Sequence, residues 1–464
     1  LETEFNEPSQ KRQEAAFEDA KNQGIQLQSV TNIGQAFGTD LANQANKLTG
    51  GDFDKSVAAF TDNGDKLLKL EVNKKLREKG LDPSQPIDKQ VLKEIMGDEN
   101  RVAATPQTVK ELVKSGLTVR VQSGAGDASY HSDQDYQDAG ADVFPDHTNL
   151  LNGADIILKV APATLAEMEA FPNGVAYVSL FQTTREIEQV TQLTQKKITG
   201  FSMHLIPRTT LAQSMDALSS QANISGYKSV LIGASHLPVY MPLLMTAAGT
   251  IPPAKVLILG AGVAGLQAIA TAKRLGAQVE AFDVRPEVKE QVESLGAKFV
   301  EVESDSDDGV GEGGYAKETS DDYKQRQQEL IKQHIAKSDL VITTALIPGR
   351  PAPLLIPTDM VNGMKPGSAI IDLAAENGGN CEVTQSDKVI NHNGVIIDGT
   401  VNLPSTMPVH ASQLYAKNVS TFVTYMVKDG QLNFDLEDEI ISGAMFTHEG
   451  QITHEPTRQA ANNS

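Results

Sequence analysis

Four hydrogen-bonding side chains lie close together in the segment PRTTLAQSMDALSSQ (207–221), at the approach to a predicted helix. They are Arg208, Gln213, Asp216 and Ser219. Side chains of these types can hold a polar ligand in one orientation, because each donates or accepts hydrogen bonds at a defined place. The same spacing also fits an ordinary helix start with Asp216 as a first-turn acid. The segment alone therefore leaves two alternatives, a ligand clamp and a helix terminus.

A second segment has the sequence pattern of a dinucleotide site. The predicted strand KVLILG leads into Gly260-x-Gly262-x-x-Gly265 and a predicted helix, and the next predicted strand ends at Asp283. The glycines permit a tight turn, close approach to a pyrophosphate and close packing of helix on strand, and the helix N-terminus favours phosphate charge. An acid after the second strand can accept a hydrogen bond from a ribose 2′-hydroxyl and would repel a 2′-phosphate. The pattern favours NAD(H) over NADP(H), although Arg285 keeps NADP(H) open.

These residues need a scaffold, and the sequence predicts an α/β fold with two Rossmann-like, doubly wound domains. Apolar segments of strand length, such as LTVRVQ, ADIILKV and VAYVSLF, alternate with amphipathic helices. One such helix, TPQTVKELVKSG, begins at Thr-Pro and ends at Gly116. A long helix is predicted after Asp216, where it can join the two domains.

We predict three regions of the chain. Residues 86–218 and 402–464 form the first Rossmann-like domain, and residues 219–401 form the NAD(H)-binding Rossmann domain. Residues 1–85 are a mainly helical or flexible N-terminal extension, and the sequence assigns them no role. Residues 303–322 are rich in acids and glycines and have almost no core-forming side chains, which predicts a long mobile loop.

Composition argues against several classes of function. The net charge of −20 disfavours nucleic acid or an anionic membrane surface as the main partner. No apolar run approaches the ~18 to 20 residues that cross a bilayer, and a signal peptide is not apparent, so we expect a soluble chain without direct membrane insertion. The single cysteine, Cys381, cannot form an internal disulfide and fits a reducing cytoplasm. The histidines lack metal-ligand spacing, so we predict no metal site.

Several long motifs closely resemble the NAD(H)-binding component of proton-translocating NAD(P) transhydrogenase, which is domain I at the start of its alpha subunit. They are VLILGAGVAGLQAIATAKRLGAQVEAFDVRPEV, PRTTLAQSMDALSSQANISGY, ENRVAATP, GGYAK, VITTALIPGRPAP and DLAAENGGNCE, and they extend over about residues 88 to 450. The resemblance implies a Si-to-Re (AB-specific) oxidoreductase and translocase, which passes hydride between NAD(H) here and NADP(H) on a partner subunit. It also implies a homodimer at the cytoplasmic side of the inner membrane, bound to membrane-spanning subunits that move the protons.

The resemblance assigns roles to residues of segment 207–221. Asp216 and Arg208 would anchor the nicotinamide and its ribose, Ser219 would assist, and Gln213 would reach toward the nucleotide on the partner subunit. Hydride transfer between two nicotinamides moves no proton at the reacting carbons, so it needs positioning and no acid or base. Tyr315 would lie on a mobile loop that closes over bound nucleotide, although the loop composition also fits a solvated linker. The predicted cofactor-binding residues are Gly260, Gly262, Val263, Ala264, Gly265, Asp283, Val284, Arg285, Tyr315, Ala345, Leu346, Glu376 and Asn377.

Alanine dehydrogenase has a similar sequence pattern and gives the alternative prediction, an NAD-dependent oxidoreductase that acts on a small keto acid. Arg101 and Lys159 match the basic residues with which that family holds its substrate, and ion pairing explains them equally well. Phe181 stands near the place of that family's histidine, and Glu376 stands where it has an aspartate. A deaminating dehydrogenase needs a general acid or base, so the missing histidine argues against this function. A third alternative is an NAD-sensing module without chemistry, against which the intact segment 207–221 argues.

Overall fold

The computed structural model describes residues 99–301, 321–346, 351–428 and 430–463. Two predictions lie outside these ranges, namely the N-terminal extension and the loop with Tyr315. The described residues fall into two compact units, one with residues 99–100 and 124–132 and the other with the remainder. In the smaller unit the Ser129 hydroxyl donates to the Asn100 carbonyl at 2.6 Å. All helices and strands named below belong to the larger unit.

Helices and strands alternate along the larger unit and are numbered in chain order. The strands are β1 (Arg120–Gln122), β2 (Asp142–Phe144), β3 (Ile156–Leu158), β4 (Ala176–Ser179), β5 (Thr199–Ser202), β6 (Leu244–Thr246), β7 (Gly249–Ile251), β8 (Lys255–Leu259), β9 (Gln278–Phe282), β10 (Lys298–Val300), β11 (Leu340–Thr343), β12 (Ala369–Asp372), β13 (Val389–His392), β14 (Val395–Asp398), β15 (Val427–Lys428), β16 (Gln431–Leu432), β17 (Met445–His448) and β18 (Gln451–Ile452). The helices are α1 (Pro106–Lys114), α2 (Asp133–Asp138), α3 (His147–Leu151), α4 (Leu165–Glu169), α5 (Ile187–Gln195), α6 (Ala217–His236), α7 (Val263–Arg274), α8 (Lys289–Ser294), α9 (Asp321–Ile335), α10 (Thr358–Asn362), α11 (Pro408–Met426), α12 (Glu439–Ala444) and α13 (Glu455–Asn462). Among the described helices, none has both the length and the apolar character of a bilayer span.

A seven-stranded sheet carries the glycine pattern. Its strand order is β10-β9-β8-β11-β12-β14-β13, and every neighbouring pair is parallel except β13 with β14. The chain builds outward from β8 on one side and from β11 on the other, which is the doubly wound order of a Rossmann fold. Ligands bind such sheets outside the carboxyl ends of the strands at the switch point, here between β8 and β11. The predicted α/β fold class is confirmed.

A five-stranded sheet has the order β18-β17-β5-β4-β3. Strands β3, β4 and β5 are parallel, whereas β17 runs antiparallel to β5 and β18 antiparallel to β17. The carboxyl-terminal region of the chain thus returns to this sheet, and helix α11 covers it. The ring of Phe422 on α11 contacts that of Phe201 on β5 edge to face, with 5.5 Å between the ring centroids. Strands β1 and β2 form a separate parallel pair.

Helix α6 is the long helix that the sequence predicted, and at 20 residues it is about 30 Å long. Two of its glycines permit close contact with the seven-stranded sheet and the turn that follows β8. A Cβ atom at Gly226 would lie 2.1 Å from the carbonyl oxygen of Ala264, and one at Gly233 would lie 2.6 Å from the Leu340 side chain. Because a larger residue would clash at either contact, glycine lets α6 pack directly on the glycine-rich turn.

Candidate functional site

The glycine-rich turn has the geometry that its sequence predicts. Gly260 has φ +103°, and a Cβ atom there would lie 2.5 Å from Oγ1 of Thr344. A Cβ atom at Gly265 would lie 1.9 Å from the Gly260 carbonyl oxygen, so helix α7 and the turn leave no room for a side chain. At Gly262 a Cβ atom would meet no atom within 4 Å. Open space therefore adjoins the N-terminus of α7, where the helix dipole favours a phosphate group.

The acid after β9 is paired with the neighbouring arginine. Asp283 is largely buried, and its Oδ2 accepts hydrogen bonds from the Ala261 amide at 2.7 Å and from Nη2 of Arg285 at 3.0 Å. Its Oδ1 accepts from the Arg285 amide at 2.9 Å and from Nε of Arg285 at 3.0 Å. The guanidinium that left NADP(H) open in the sequence is thus engaged by the acid that favours NAD(H). Val284 lies between the two residues and packs against the core of the sheet.

The loops after β11 and β12 are joined by an amide that the sequence analysis missed. Asn380 is fully buried, and its Oδ1 accepts a hydrogen bond from the Ala345 amide at 3.0 Å. Its Nδ2 donates to the carbonyl oxygens of Ala345 at 2.9 Å and of Pro353 at 2.8 Å. These bonds hold Ala345 in place at the carboxyl end of β11. The apolar side chains of Leu346 and Val263 are exposed beyond it, 47% and 42% respectively, at the ends of elements that meet at the switch point.

A buried carboxylate organises the loop that follows β12. Asp372 ends the strand, is fully buried and accepts five hydrogen bonds at 2.7–3.1 Å. The donors are the hydroxyls of Thr343 and Thr384 and the amides of Ala374, Asn380 and Cys381. Hydrogen bonds to a charged acceptor are about twice as strong as neutral ones. Asp372 therefore fixes the backbone on both sides of Glu376 and Asn377, two predicted cofactor contacts.

Glu376 and Asn377 are also held from the five-stranded sheet. Oδ1 of Asn377 accepts a hydrogen bond from Nη1 of Arg185 at 2.9 Å, and the Glu376 carbonyl accepts one from Nη2 at 3.1 Å. Oε1 of Glu376 accepts from the amide of Asn402 at 2.9 Å. Arg185 follows β4, so this guanidinium links a loop of one sheet to a loop of the other. Nothing in the sequence near Arg185 indicated this contact.

In segment 207–221, Asp216 and Ser219 form a helix cap. Asp216 is the N-cap of α6, where Oδ1 accepts from the Ser219 amide at 2.9 Å and Oδ2 accepts from the Ser219 hydroxyl at 2.6 Å. The helix-terminus alternative is therefore present in the structure, and both carboxylate oxygens bind Ser219. Gln213 begins a short 3₁₀ turn and is exposed, as is Arg208. The turn holds Gln213 at the surface, on the chain that leads directly into α6.

Buried residues anchor this exposed turn. Ala212 and Met215 flank it in the core of the five-stranded sheet. Asn418 on α11 donates from Nδ2 to the Ser214 carbonyl at 2.8 Å, and its Oδ1 accepts from the Ser220 hydroxyl at 2.8 Å. Asn418 thus ties the turn to the first turn of α6. No local pattern indicates this anchor, because Asn418 and Ser214 are 204 residues apart in the chain.

Helix α6 brings the two predicted halves of the site into one packed unit. One helical turn after Ser219, Nδ2 of Asn223 donates to Oε1 of Gln267 on α7 at 3.1 Å. One turn further on, Gly226 meets the carbonyl of Ala264 in the glycine-rich turn. The polar start of α6 and the N-terminus of α7 therefore belong to one assembly. This arrangement can hold a dinucleotide at the switch point with its reactive end toward segment 207–221.

The residues shared with the alternative prediction have other partners. Arg101 donates to Oε1 of Gln221 at 2.8 Å and to Oδ1 of Asn402 at 3.0 Å, and the Lys159 ammonium pairs with Oε1 of Glu167 at 2.5 Å. Ion pairing thus describes Lys159, whereas Arg101 binds uncharged amides in these contacts. Both cations are therefore engaged by groups of the chain itself.

Two further residues bear on acid–base chemistry. Phe181 is fully buried and stacks on Phe446 with 4.8 Å between ring centroids, so it belongs to the core. Burial, together with the nearby Arg101 charge, lowers the pKa of His204 to about 4. His204 is therefore neutral at neutral pH. Within residues 99–301, 321–346, 351–428 and 430–463, no group of three His, Cys, Asp or Glu side chains is placed to hold a metal ion.

Comparison with known proteins gives a consistent result. The alanine dehydrogenase/PNT N-terminal domain family matches residues 90–225, and the alanine dehydrogenase/PNT C-terminal domain family matches residues 229–455. The first of the separate NAD(P) transhydrogenase alpha chains of Rhodospirillum rubrum is 45% identical over 370 residues, which cover 78% of this chain and 96% of that protein. The NAD(P) transhydrogenase subunit alpha of Cereibacter sphaeroides is 45% identical over 368 residues, 78% of this chain and 70% of that protein.

Solved structures agree with the sequence comparisons. A transhydrogenase from Sinorhizobium meliloti matches with a TM-score of 0.70 and 44% identity, and the match covers 77% of this chain and 97% of that one. An L-alanine dehydrogenase matches with a TM-score of 0.67 and 26% identity over 79% of this chain and 97% of that one. Both protein classes named by the sequence motifs therefore share the fold, and the transhydrogenases are the more similar in sequence.

Proposed function

Because this chain belongs to the family of NAD(P) transhydrogenase alpha subunits, we propose that it binds NAD(H) and exchanges hydride with NADP(H) held on a partner subunit. The observation that carries the proposal is the glycine-rich turn at the switch point. Open space at Gly262 adjoins the N-terminus of α7, and Asp283 stands at the end of the neighbouring strand. This donor set fits a pyrophosphate and a ribose diol. The engagement of Arg285 by Asp283 supports NAD(H) over NADP(H).

Bound NAD(H) would supply the nicotinamide that gives or receives the hydride. The chain then has to hold that ring in position, because no proton moves at the reacting carbons. We assign Arg208 and Asp216 to the nicotinamide and its ribose, with Ser219 assisting. Gln213 is exposed on its turn, which supports its assignment to the nucleotide on the partner subunit. Neutral His204 and buried Phe181 supply no general acid for reductive amination at neutral pH.

The remaining cofactor contacts follow the strand ends of the seven-stranded sheet. The residues proposed are Gly260, Gly262, Val263, Ala264, Gly265, Asp283, Val284, Arg285, Ala345, Leu346, Glu376 and Asn377. All of them lie in the turn after β8, the end of β9 or the loops after β11 and β12. We also keep the division into 86–218 plus 402–464 and 219–401 as a proposal, which the two separate sheets support.

Partner subunits would complete the enzyme. We propose that an NADP(H)-binding subunit and a membrane-spanning subunit provide the second nucleotide and the proton path, and that they hold this chain at the cytoplasmic side of the inner membrane. A homodimer is also proposed, and the segment that leads into the hairpin β6–β7 supports it. Apolar side chains there are exposed, including Tyr240 at 56%, Leu243 at 52% and Met245 at 73%, which is unusual for a surface that meets only water.

Reconstitution tests the proposed reaction. The purified chain is mixed with an NADP(H)-binding transhydrogenase subunit, and NADH-dependent reduction of an NADP analogue is measured. We expect turnover that depends on both proteins. Gln213→Asn should lower turnover while NADH binding stays nearly unchanged, and the exposed Gln431→Asn is the matched control. Equal loss of turnover and NADH binding would remove the positioning role of Gln213.

A second assay separates this function from its alternative. The purified chain is given pyruvate, ammonia and NADH, which are the substrates of an alanine dehydrogenase. We expect no oxidation of NADH, because Phe181 is in the core and Lys159 is paired with Glu167. Turnover in this assay without a partner subunit would replace the proposed function by the alternative.

A further inference from the structure

The loop after β12 is held by two independent sets of contacts. From within the seven-stranded sheet, Asp372 and Asn380 bind its backbone. From the five-stranded sheet, Arg185 binds the Asn377 side chain at 2.9 Å and the Glu376 carbonyl at 3.1 Å. The first set fixes the ends of the loop. The second reaches its central two residues from the loop after β4.

The chemistry of the Arg185 contact determines how the Asn377 amide is turned. A guanidinium has hydrogen-bond donors and no acceptor, so the amide has to present its oxygen to it. The –NH₂ group of Asn377 is then held on the opposite side of the side chain as a donor. Asn377 is partly exposed, so a ligand can reach this group. Without the guanidinium, the amide could turn over and offer its oxygen instead.

We infer that Arg185 is a positioning residue for the nucleotide site, which orients the Asn377 amide so that its –NH₂ group donates to bound NAD(H). This inference rests on the proposed function, because it takes NAD(H) as the ligand and Asn377 as one of its contacts. Arg185 does not have to touch the nucleotide itself. Its position is in turn fixed by its own loop, where its Nη1 also donates to Oε1 of Gln182 at 3.2 Å.

Three variants and a control test the inference in the full-length chain. Arg185→Met keeps the length of the side chain and removes its donors, whereas Arg185→Lys keeps the charge and a donor. Arg458→Met is the control, since Arg458 is also exposed and pairs with Glu455 far along the chain from the loop. Asn377→Asp keeps an acceptor for Arg185 and loses the –NH₂ donor. Dissociation constants for NADH are measured by nicotinamide fluorescence.

We expect Arg185→Met to raise the dissociation constant for NADH about 10-fold, from loss of two charge-assisted hydrogen bonds that order the loop. Arg185→Lys should recover part of the affinity, and Arg458→Met should bind as wild type does. Asn377→Asp should weaken NADH binding although its contact with Arg185 remains. In an Asn377→Ala background, Arg185→Met should change affinity less than about 3-fold, because its effect passes through Asn377.

Hydrogen exchange supplies a readout that does not need the nucleotide. Amides of residues 374–380 should exchange faster in Arg185→Met, while those of β12 stay protected. Wild-type NADH affinity in Arg185→Met, or full additivity with Asn377→Ala, would overturn the inference. If the wild-type chain fails to bind NADH, the proposed function fails, and unchanged exchange in the loop would separately show that Arg185 does not order it.

Discussion

Replacing Asp372 by asparagine tests how much the buried carboxylate contributes to the site. The side chains are almost the same in size, so the change removes a charge and one acceptor without opening a cavity. Three of the five donors converge on Oδ2, and the amide oxygen is expected to take that place. The new –NH₂ group then faces the Ala374 amide and the Thr343 hydroxyl. The hydroxyl can rotate and accept, whereas the Ala374 amide cannot.

The magnitude follows from these contacts. One buried backbone N–H without an acceptor costs about 1 to 3 kcal/mol. The three bonds that remain lose their charge assistance, and the lower desolvation of a neutral amide offsets some of this loss. We expect a net loss of about 2 to 4 kcal/mol in the free energy of unfolding, and for a domain of this size a fall of roughly 5 to 15 °C in the melting midpoint.

Circular dichroism is the appropriate measurement, because the chain has no tryptophan to report unfolding by fluorescence. Asp359→Asn is the matched control, since Asp359 is exposed and pairs with Lys332 at the surface, and no measurable shift is expected there. Asp372→Ala should be worse than Asp372→Asn, because it leaves every donor unpaired. A melting midpoint within about 1 °C of wild type, together with wild-type NADH affinity, would show that the carboxylate is not the organiser of the loop.

Three other changes test single features. Gly226→Ala should weaken NADH binding at least ~10-fold, because its Cβ would lie 2.1 Å from the Ala264 carbonyl oxygen; Ser225→Ala on the same helix should not, and equal fluorescence titrations would contradict the close contact. The pKa of His204 is lowered to about 4 by burial, so wild type should lose stability as pH falls from about 6.5 to 4, and His204→Gln should remove some of that loss in acid melting curves. Burial raises the pKa of Glu186 to about 7, so stability should fall as pH rises from about 4.5 to 7; Glu186→Gln should raise the melting midpoint at pH ~8 and leave it unchanged near pH ~4.

The glycine-rich turn could be predicted because all its signals are local. Gly260, Gly265 and Asp283 act through contacts with the strand and helix beside them, and their spacing in the chain reflects those contacts directly. The same holds for α1, which begins after the Thr105 capping box and ends before Gly116 at φ +89°. Such features depend on backbone geometry within a few residues. They can therefore be predicted without knowledge of the rest of the fold.

The contacts that hold the site could not be predicted, because they join distant regions of the chain. Arg185 and Asn377 are 192 residues apart, and Asn418 and Ser214 are 204 apart. Each pair meets only after the two sheets and their covering helices have assembled. The short strand β17, which pairs with β5, was missed for the same reason. Apolar periodicity identifies a strand, but it does not say which distant strand will be its neighbour.

The glycine contacts of α6 have a mechanical consequence. At Gly226 the helix backbone rests directly on the carbonyl of Ala264, with no flexible side chain between them to absorb movement. At its N-terminal end the helix is capped by Asp216, about 15 Å away along the axis. An α-helix of this length is stiff over that distance. Any shift that a bound pyrophosphate imposes on the glycine-rich turn is therefore passed to Asp216 as the movement of a lever.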